Sequence, residues 1–329
     1  MDTENAPQII PHIQESVTYT PFEARWIPDT ANFVVLGQNP KATGTIRIYD
    51  LDGGKCREIH NTEKKFGFKC GTFNASPPET QLLATGDFEG NLDVWDLEDP
   101  LVPIWSSKAH NSIINCIDGC GGANVGYGAP EIATGSRDGR DTAVVFVRKW
   151  DVRETEVNDC DCDIKLFDLR TNTLLWDTNV KNGVCHVQFD RKDIAMNKLG
   201  VSTLEGKLMM YDLRTFHPEE GFAGRVESVN KSTVWGCTFL PQNRELLACS
   251  GGNGHLAVYK YSYPKQRSRK DGNGIEKGVP GTLELLNEKE LSTQPIVSLD
   301  WHKGKIGLCC MACLDQTVRV AIVTKLNLY

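Results

Sequence analysis

A short apolar run that ends in an aromatic residue followed by an acid recurs along this chain. It reads IRIYDL at 46–51, LDVWDL at 92–97, VRKWDV at 147–152, IKLFDL at 164–169 and LMMYDL at 208–213. Two weaker copies follow, LAVYKY at 256–261 and VRVAIV at 318–323. The regular copies stand about 45 residues apart: Asp50 to Asp96 is 46 positions and Asp168 to Asp212 is 44. This period constrains the fold more than any other feature. Each copy is one supersecondary unit that cannot bury its apolar face alone and must stack on its neighbours.

The inside of each unit is equally regular. Six positions before the aromatic stands a turn-forming or acidic residue, often followed by Gly: Thr43-Gly44, Glu89-Gly90, Glu205-Gly206 and Asn253-Gly254. The last copy has Asp315 without the Gly. Glycine takes the positive φ of a tight turn and its neighbour bonds the turn backbone. An apolar strand precedes each turn, as in LLATGD at 82–87, LGVSTL at 199–204 and LLACSG at 246–251. Another strand precedes that one, as in CHVQFD at 185–190 and IVSLDW at 296–301. The unit is therefore strand, loop, strand, tight turn, strand and link, with no convincing helical period. Such a chain is all-β, a β-propeller of four-stranded blades forming a single domain over 1–329, and radial closure removes the exposed edges. The segment QIIPHIQ at 8–14 reads as a strand, expected to pair with the last strand at 317–323 and close the ring.

Composition narrows the function. The net charge of -7 repels phosphate backbones, so nucleic acid is not an expected partner. No stretch approaches the roughly 18 apolar residues of a membrane helix. The start, MDTENAPQ, lacks a signal peptide's basic and apolar regions. A cytoplasmic protein is expected, its 12 cysteines reduced and mostly packed as small hydrophobes. The sequons at Asn74 and Asn230 then carry no sugar.

The third unit carries a further pattern. Lys108-Ala109-His110 is similar to the Gly-His start of the WD-repeat family, and Thr134, Asp138 and Trp150 complete that family's structural tetrad. The resemblance implies a buried hydrogen-bond chain from Trp through Thr and His to Asp, so the set is not a hydrolase triad. Longer stretches resemble the WD-repeat factors that assemble axonemal dynein: LATGDFEGNL at 83–92, GAPEIATGSRDG at 128–139, FDRKDIAMNKL at 189–199, LSTQPIVSLDW at 291–301 and DQTVRVAIVTKLN at 315–327. This resemblance covers nearly all of the chain except about 140–162. It implies a seven-bladed pattern and a non-catalytic scaffold that stabilises axonemal dynein heavy chains. It also implies partners in a co-chaperone complex of RuvB-like and prefoldin-like subunits, with the chain a monomer within that larger complex. Some members of the family are also linked to apoptosis.

One region departs from the pattern. Asp151 to Asp168 is only 17 positions, and Trp150 stands twelve after Asp138 rather than six. The fourth blade thus lacks its first two strands, leaving six complete blades and an irregular or disordered junction at 140–162. Two readings are open. Residues 141–161 are foreign to the fold, from a splice variant or a misassembled gene model. Alternatively the ring closes with six blades, and 164–169 becomes the outer strand of the third.

Other motifs were weighed against structural roles. The Gly-rich stretch 119–128 lacks the Lys-Ser/Thr of a phosphate-binding loop and leads into a strand. Cys309, Cys310 and Cys313 near His302, like Cys160 and Cys162, lack the paired knuckles of a zinc site. No cofactor, metal or catalytic constellation is expected. The loop at 263–281 is the largest insertion, and its cluster Lys265, Arg267, Arg269 and Lys270 is either a solvated loop or a docking site for an acidic partner surface. Three copies read aromatic-Asp-x-Arg, ending at Arg153, Arg170 and Arg214. They resemble the box by which some WD-repeat substrate receptors dock on a cullin-type ubiquitin ligase. That is a rival function, against the alternative that each Arg bonds a neighbouring blade.

Overall fold

The computed structural model describes residues 6–76, 80–120, 131–136, 141–145, 163–168, 173–180, 183–190 and 197–329. Among these there is no α-helix, and every strand pairing is antiparallel. After β1 (Ile9–Ser16) come β2 (Thr20–Trp26), β3 (Asn32–Gln38), β4 (Gly44–Asp52) and β5 (Lys55–Lys64), which form one four-stranded blade. The next blade is β6 (Phe68–Thr72), β7 (Leu82–Asp87), β8 (Asn91–Asp96) and β9 (Trp105–Lys108). A three-stranded sheet follows, β10 (Ile114–Cys120), β11 (Glu131–Ser136) and β12 (Asp141–Val145), then a two-stranded one, β13 (Asp163–Asp168) and β14 (Thr173–Asn179). Four-stranded order resumes with β15 (Val184–Phe189), β16 (Lys198–Thr203), β17 (Lys207–His217) and β18 (Gly221–Ser228). The following blade is β19 (Val234–Leu240), β20 (Asn243–Gly251), β21 (His255–Ser262) and, after the hairpin β22 (Ser268–Lys270) and β23 (Glu276–Gly278), β24 (Thr282–Glu290). The last is β25 (Ile296–Trp301), β26 (Leu308–Cys313) and β27 (Thr317–Val323).

That final blade is completed by the start of the chain. β1 pairs with β27 from Ile9 opposite Val323 to Ser16 opposite Thr317. The expected closing strand is therefore present, one residue later than the sequence suggested at its start. Ile9 is buried in the core of the last two blades, and Asn287 Nδ2 donates to Pro7 O at 2.6 Å.

The first strand of each sheet is the inner one. β2, β6 and β10 lie side by side, and β15, β19, β25 and β2 continue the series. Side chains stitch neighbours together at equivalent points. Trp26 N donates to Asp300 Oδ2 at 2.9 Å, and Phe239 N donates to Gln188 Oε1 at 2.8 Å. Apolar cores fill the gaps between blades, as where Phe33, Val35 and Tyr49 meet Cys310, Val318 and Val320. The two-stranded sheet packs on the β15–β18 blade through Ile164 and Trp176, whose ring meets Tyr211 and Phe222 edge-on. The repeated Gly has a definite task. Gly90, Gly206 and Gly254 have φ of +88°, +74° and +77°. A Cβ at each would run into the carbonyl of His110, Asn230 or Ser292, where the next blade begins.

Two expectations are corrected here. The described residues form five four-stranded blades, not six complete ones, because the sheet of β10, β11 and β12 shows no fourth strand among them. Within the junction, residues 141–145 form β12, which pairs with β11 from Gly135 opposite Asp141 to Glu131 opposite Val145. Residues 163–168 are not the outer strand of that sheet, since β13 pairs with β14 instead. The physical reason is local. The run TAVV at 142–145 comes soon after β11 in sequence, has high strand propensity, and pairs back on it at small loop cost. The rest of the 140–162 junction lies outside the described residues.

Candidate partner-binding surfaces

The tetrad is half visible. His110 and Thr134 are buried, with His110 Nε2 at 2.9 Å from Thr134 Oγ1. Asp138 and Trp150 lie outside the described residues. In the second blade Trp95 stands opposite Leu83, and in the third Val144 stands opposite Ile132, the equivalent pair. Val144 is also six residues after Asp138, the spacing the other units use.

The same links recur elsewhere in altered form. Trp95 Nε1 donates to the buried Thr85 Oγ1 at 2.8 Å. Asn230 Nδ2 donates to Asn253 Oδ1 at 2.9 Å, and Ser292 Oγ donates to Asp315 Oδ2 at 2.9 Å. Burial pulls Asp315 upward, but donors from Thr317, Arg319 and Ser292 hold its carboxyl below the ordinary range. These are linkers between a turn and the strand or loop beside it, and they serve rigidity.

Of the Arg residues in the three aromatic-Asp-x-Arg boxes, Arg214 is described; Arg153 and Arg170 are outside the described residues. Arg214 Nε lies 2.8 Å from Oδ1 of its own Asp212, and its guanidinium stacks over Tyr263 of the next blade at 4.4 Å. The bond to Asp212 raises its pKa further. Arg214 thus links its own strand to the next blade.

Beneath Arg214 lies a charged cluster that the sequence reading missed. Lys198 is fully buried, 3.1 Å from Asp190 Oδ2 and 2.5 Å from Tyr263 Oη. Arg244 Nε reaches the same carboxylate at 2.8 Å. Burial alone would raise Asp190, but Arg244, Lys198 and the Asn197 N–H together hold it below its usual value. The signal was present but faint: a lysine heading the apolar run KLGVST, with Tyr263 sixty-five positions away. The cluster ties the β15–β18 blade to the β19–β24 blade at the root of the long insertion.

That insertion contains a hairpin. Ser268–Lys270 pairs with Glu276–Gly278, and Val279 N closes the ladder on Arg267 O at 2.9 Å. Asp271 Oδ1 accepts from the N–H groups of Asn273 and Ile275, both at 2.8 Å, shaping the tip. His217 Nδ1 accepts from Glu219 and Glu220 N–H, which leaves Nε2 to donate to Asp271 at 3.4 Å. Lys277 pairs with Glu220 of the neighbouring blade. The hairpin is thus strapped to β17 and β18. Lys265, Arg267, Arg269 and Lys270 are all exposed on it, and none has an ion pair among the described residues. Beside it runs an open groove of about 530 Å³, with Arg269, Lys277, Val279 and Pro280 on one wall and Phe222 and Gly224 on the other.

The remaining motifs add no chemistry. Burial pushes Cys309 up to about 12 and Cys313 up to about 11, so both are protonated packing residues at neutral pH. Among the described residues no group of three His, Cys, Asp or Glu side chains is placed to hold a metal. Most of the Gly-rich stretch, and Cys160 and Cys162, fall outside the described residues. No described helix is long and apolar enough to cross a membrane.

Blades in ring order and a last blade completed by the chain's first strand define a class: a β-propeller. No family model matches the sequence. Curated relatives do. The chain is 49% identical over 353 residues to dynein axonemal assembly factor 10 of Danio rerio, covering 98% of both chains. It is 48% identical over 361 residues to the Homo sapiens protein of that name and 47% over 362 to that of Chlamydomonas reinhardtii, with 99% of each chain covered. The chain belongs to the dynein axonemal assembly factor 10 family. Its human alignment spans 361 positions against 329 residues here, so at least 32 positions are gaps in this chain. The short interval from Asp151 to Asp168 is where the repeat itself is missing residues.

Proposed function

We propose that this chain is a non-catalytic scaffold of axonemal dynein assembly. It acts in the cytoplasm, where it stabilises dynein heavy chains before they enter the cilium. It works with a co-chaperone complex of RuvB-like and prefoldin-like subunits. The observation that carries this is the near-complete match to proteins named for that role, in animals and in a green alga. The structure supports it physically. Blades packed side by side and tied by buried polar links are rigid, so their loops present partner contacts at little ordering cost. The basic hairpin and the groove beside it are the candidate contact surface of this scaffold.

The ligase-receptor reading gains nothing from the geometry, because Arg214 is engaged by Asp212 and Tyr263. Affinity purification of the tagged chain from a ciliated cell tests the proposal. RuvB-like and prefoldin-like subunits and dynein heavy chains should dominate the recovered proteins. Recovery of a cullin adaptor in their place would reverse it.

A further inference from the structure

The hairpin at 263–281 holds five cations and two acids, a local net charge of +3 within a chain of -7. Asp271 shapes the tip and faces His217, and Glu276, exposed, stands opposite Lys270 in the ladder without an ion pair among the described residues. Lys277 is neutralised by Glu220 across the groove. Lys265, Arg267, Arg269 and Lys270 remain exposed, and Arg269 forms part of the groove wall. On β18, Arg225 and Glu227 pair with each other at 2.5 Å.

The groove has an apolar part as well. Phe222, Val279 and Pro280 line it, and Phe222 meets Trp176 and the half-exposed Phe216. Its far wall is β18, the outermost strand of its blade, which has no second partner strand among the described residues. Gly224 is exposed there and offers bare backbone. A positive rim, an apolar floor and an open strand edge fit an extended chain rather than a globular surface. Bonds at its tip and flank fix the hairpin backbone that carries these cations.

We propose that this groove receives an extended acidic peptide segment of a partner, with an apolar side chain seated between Phe222 and Val279 and carboxylates against Arg267 and Arg269. This rests on the scaffold reading above and names the chemistry of one of its partners. The rim charges contribute speed and salt sensitivity to binding, and the apolar contact contributes lifetime.

The test uses the full chain and a short fluorescein-labelled peptide alternating glutamate and phenylalanine, followed by anisotropy. Two control peptides replace glutamate by lysine, or phenylalanine by glycine. The glutamate–phenylalanine peptide should bind, and both controls should bind at least several-fold more weakly. The double variant Arg267→Glu, Arg269→Glu should lose roughly tenfold in affinity, since both side chains are solvated and their individual contributions are modest. Val279→Ser should lose a few-fold without changing the salt dependence. Equal binding of the lysine peptide, or an unchanged double variant, would overturn the charge assignment. Equal binding of the glycine peptide would overturn the groove. No binding by the natural chain would overturn both. In that last case, continued recovery of dynein heavy chains and co-chaperones from cells would leave the scaffold reading intact, so the two failures are distinguishable.

Discussion

Removing residues 1–16 should open the ring. The segment supplies the whole of β1, whose pairing with β27 runs from Ile9 to Ser16. Most of its side chains face solvent, so the ladder itself contributes little. Each backbone bond is worth about 1 kcal/mol net, and ordering each residue costs about 1–2 kcal/mol of backbone entropy. These nearly cancel. What remains is Ile9, 3% exposed, whose burial contributes about 1.5–3 kcal/mol, together with the bond from Asn287 to Pro7. The expected net loss is about 2–4 kcal/mol, or about 3–6 °C in Tm for a chain of this size. Urea unfolding read by tryptophan fluorescence measures it. A peptide spanning residues 6–18, added in excess, should restore part of the loss, and the bare β27 edge should promote self-association until it does. Ile10→Ala, at a side chain 42% exposed, is the control and should change stability by no more than about 0.5 kcal/mol. Identical midpoints for the truncated and full chains would refute the closure argument.

Other predictions concern the interior. Asp190→Ala leaves Lys198 buried without its counter-ion and should cost about 3–5 kcal/mol in a urea melt. Because folding lowers the Asp190 pKa, its contribution is present above about pH 4 and lost as pH falls through the folded value. The Asp190→Asn chain should therefore show a weaker acid sensitivity between those limits. Trp95→Phe strands the Thr85 hydroxyl and should cost about 1–3 kcal/mol by the same assay. Gly254→Ala forces a side chain into a positive φ against Ser292 O and should destabilise by more than about 1 kcal/mol, whereas Gly272→Ala, with open space around it, should not.

The repeat made most of the ring legible. A Gly or acid at the turn, an aromatic six positions later and a small residue on the strand between fixed the third strand of the first two blades and of the two after the junction. The closing strand was legible because QIIPHIQ at 8–14 reads as an extended strand outside the repeat units. The junction was not. The reading anchored the third unit on Trp150, the residue most like the repeat, while the chain forms its strand from the adjacent Thr142–Val145 run. Proximity to the turn outweighed motif quality, since loop cost grows with each inserted residue. The hairpin also escaped notice. Strands of three residues, rich in Ser, Arg and Lys, carry no alternation, and what orders them is contact with His217 and Glu220 on another blade. The Asp190–Lys198 cluster was faint for the same reason, as its partners Arg244 and Tyr263 come from the next blade.

The central claim is that this ring stabilises dynein heavy chains during assembly. Depleting the protein from a ciliated cell and measuring axonemal heavy chains in the cytoplasm, with and without restoration of this chain, tests it most directly. Heavy chains should fall on depletion and recover on restoration, while their transcripts stay level. Unchanged heavy-chain levels in the depleted cytoplasm, with normal loading of axonemes, would contradict it.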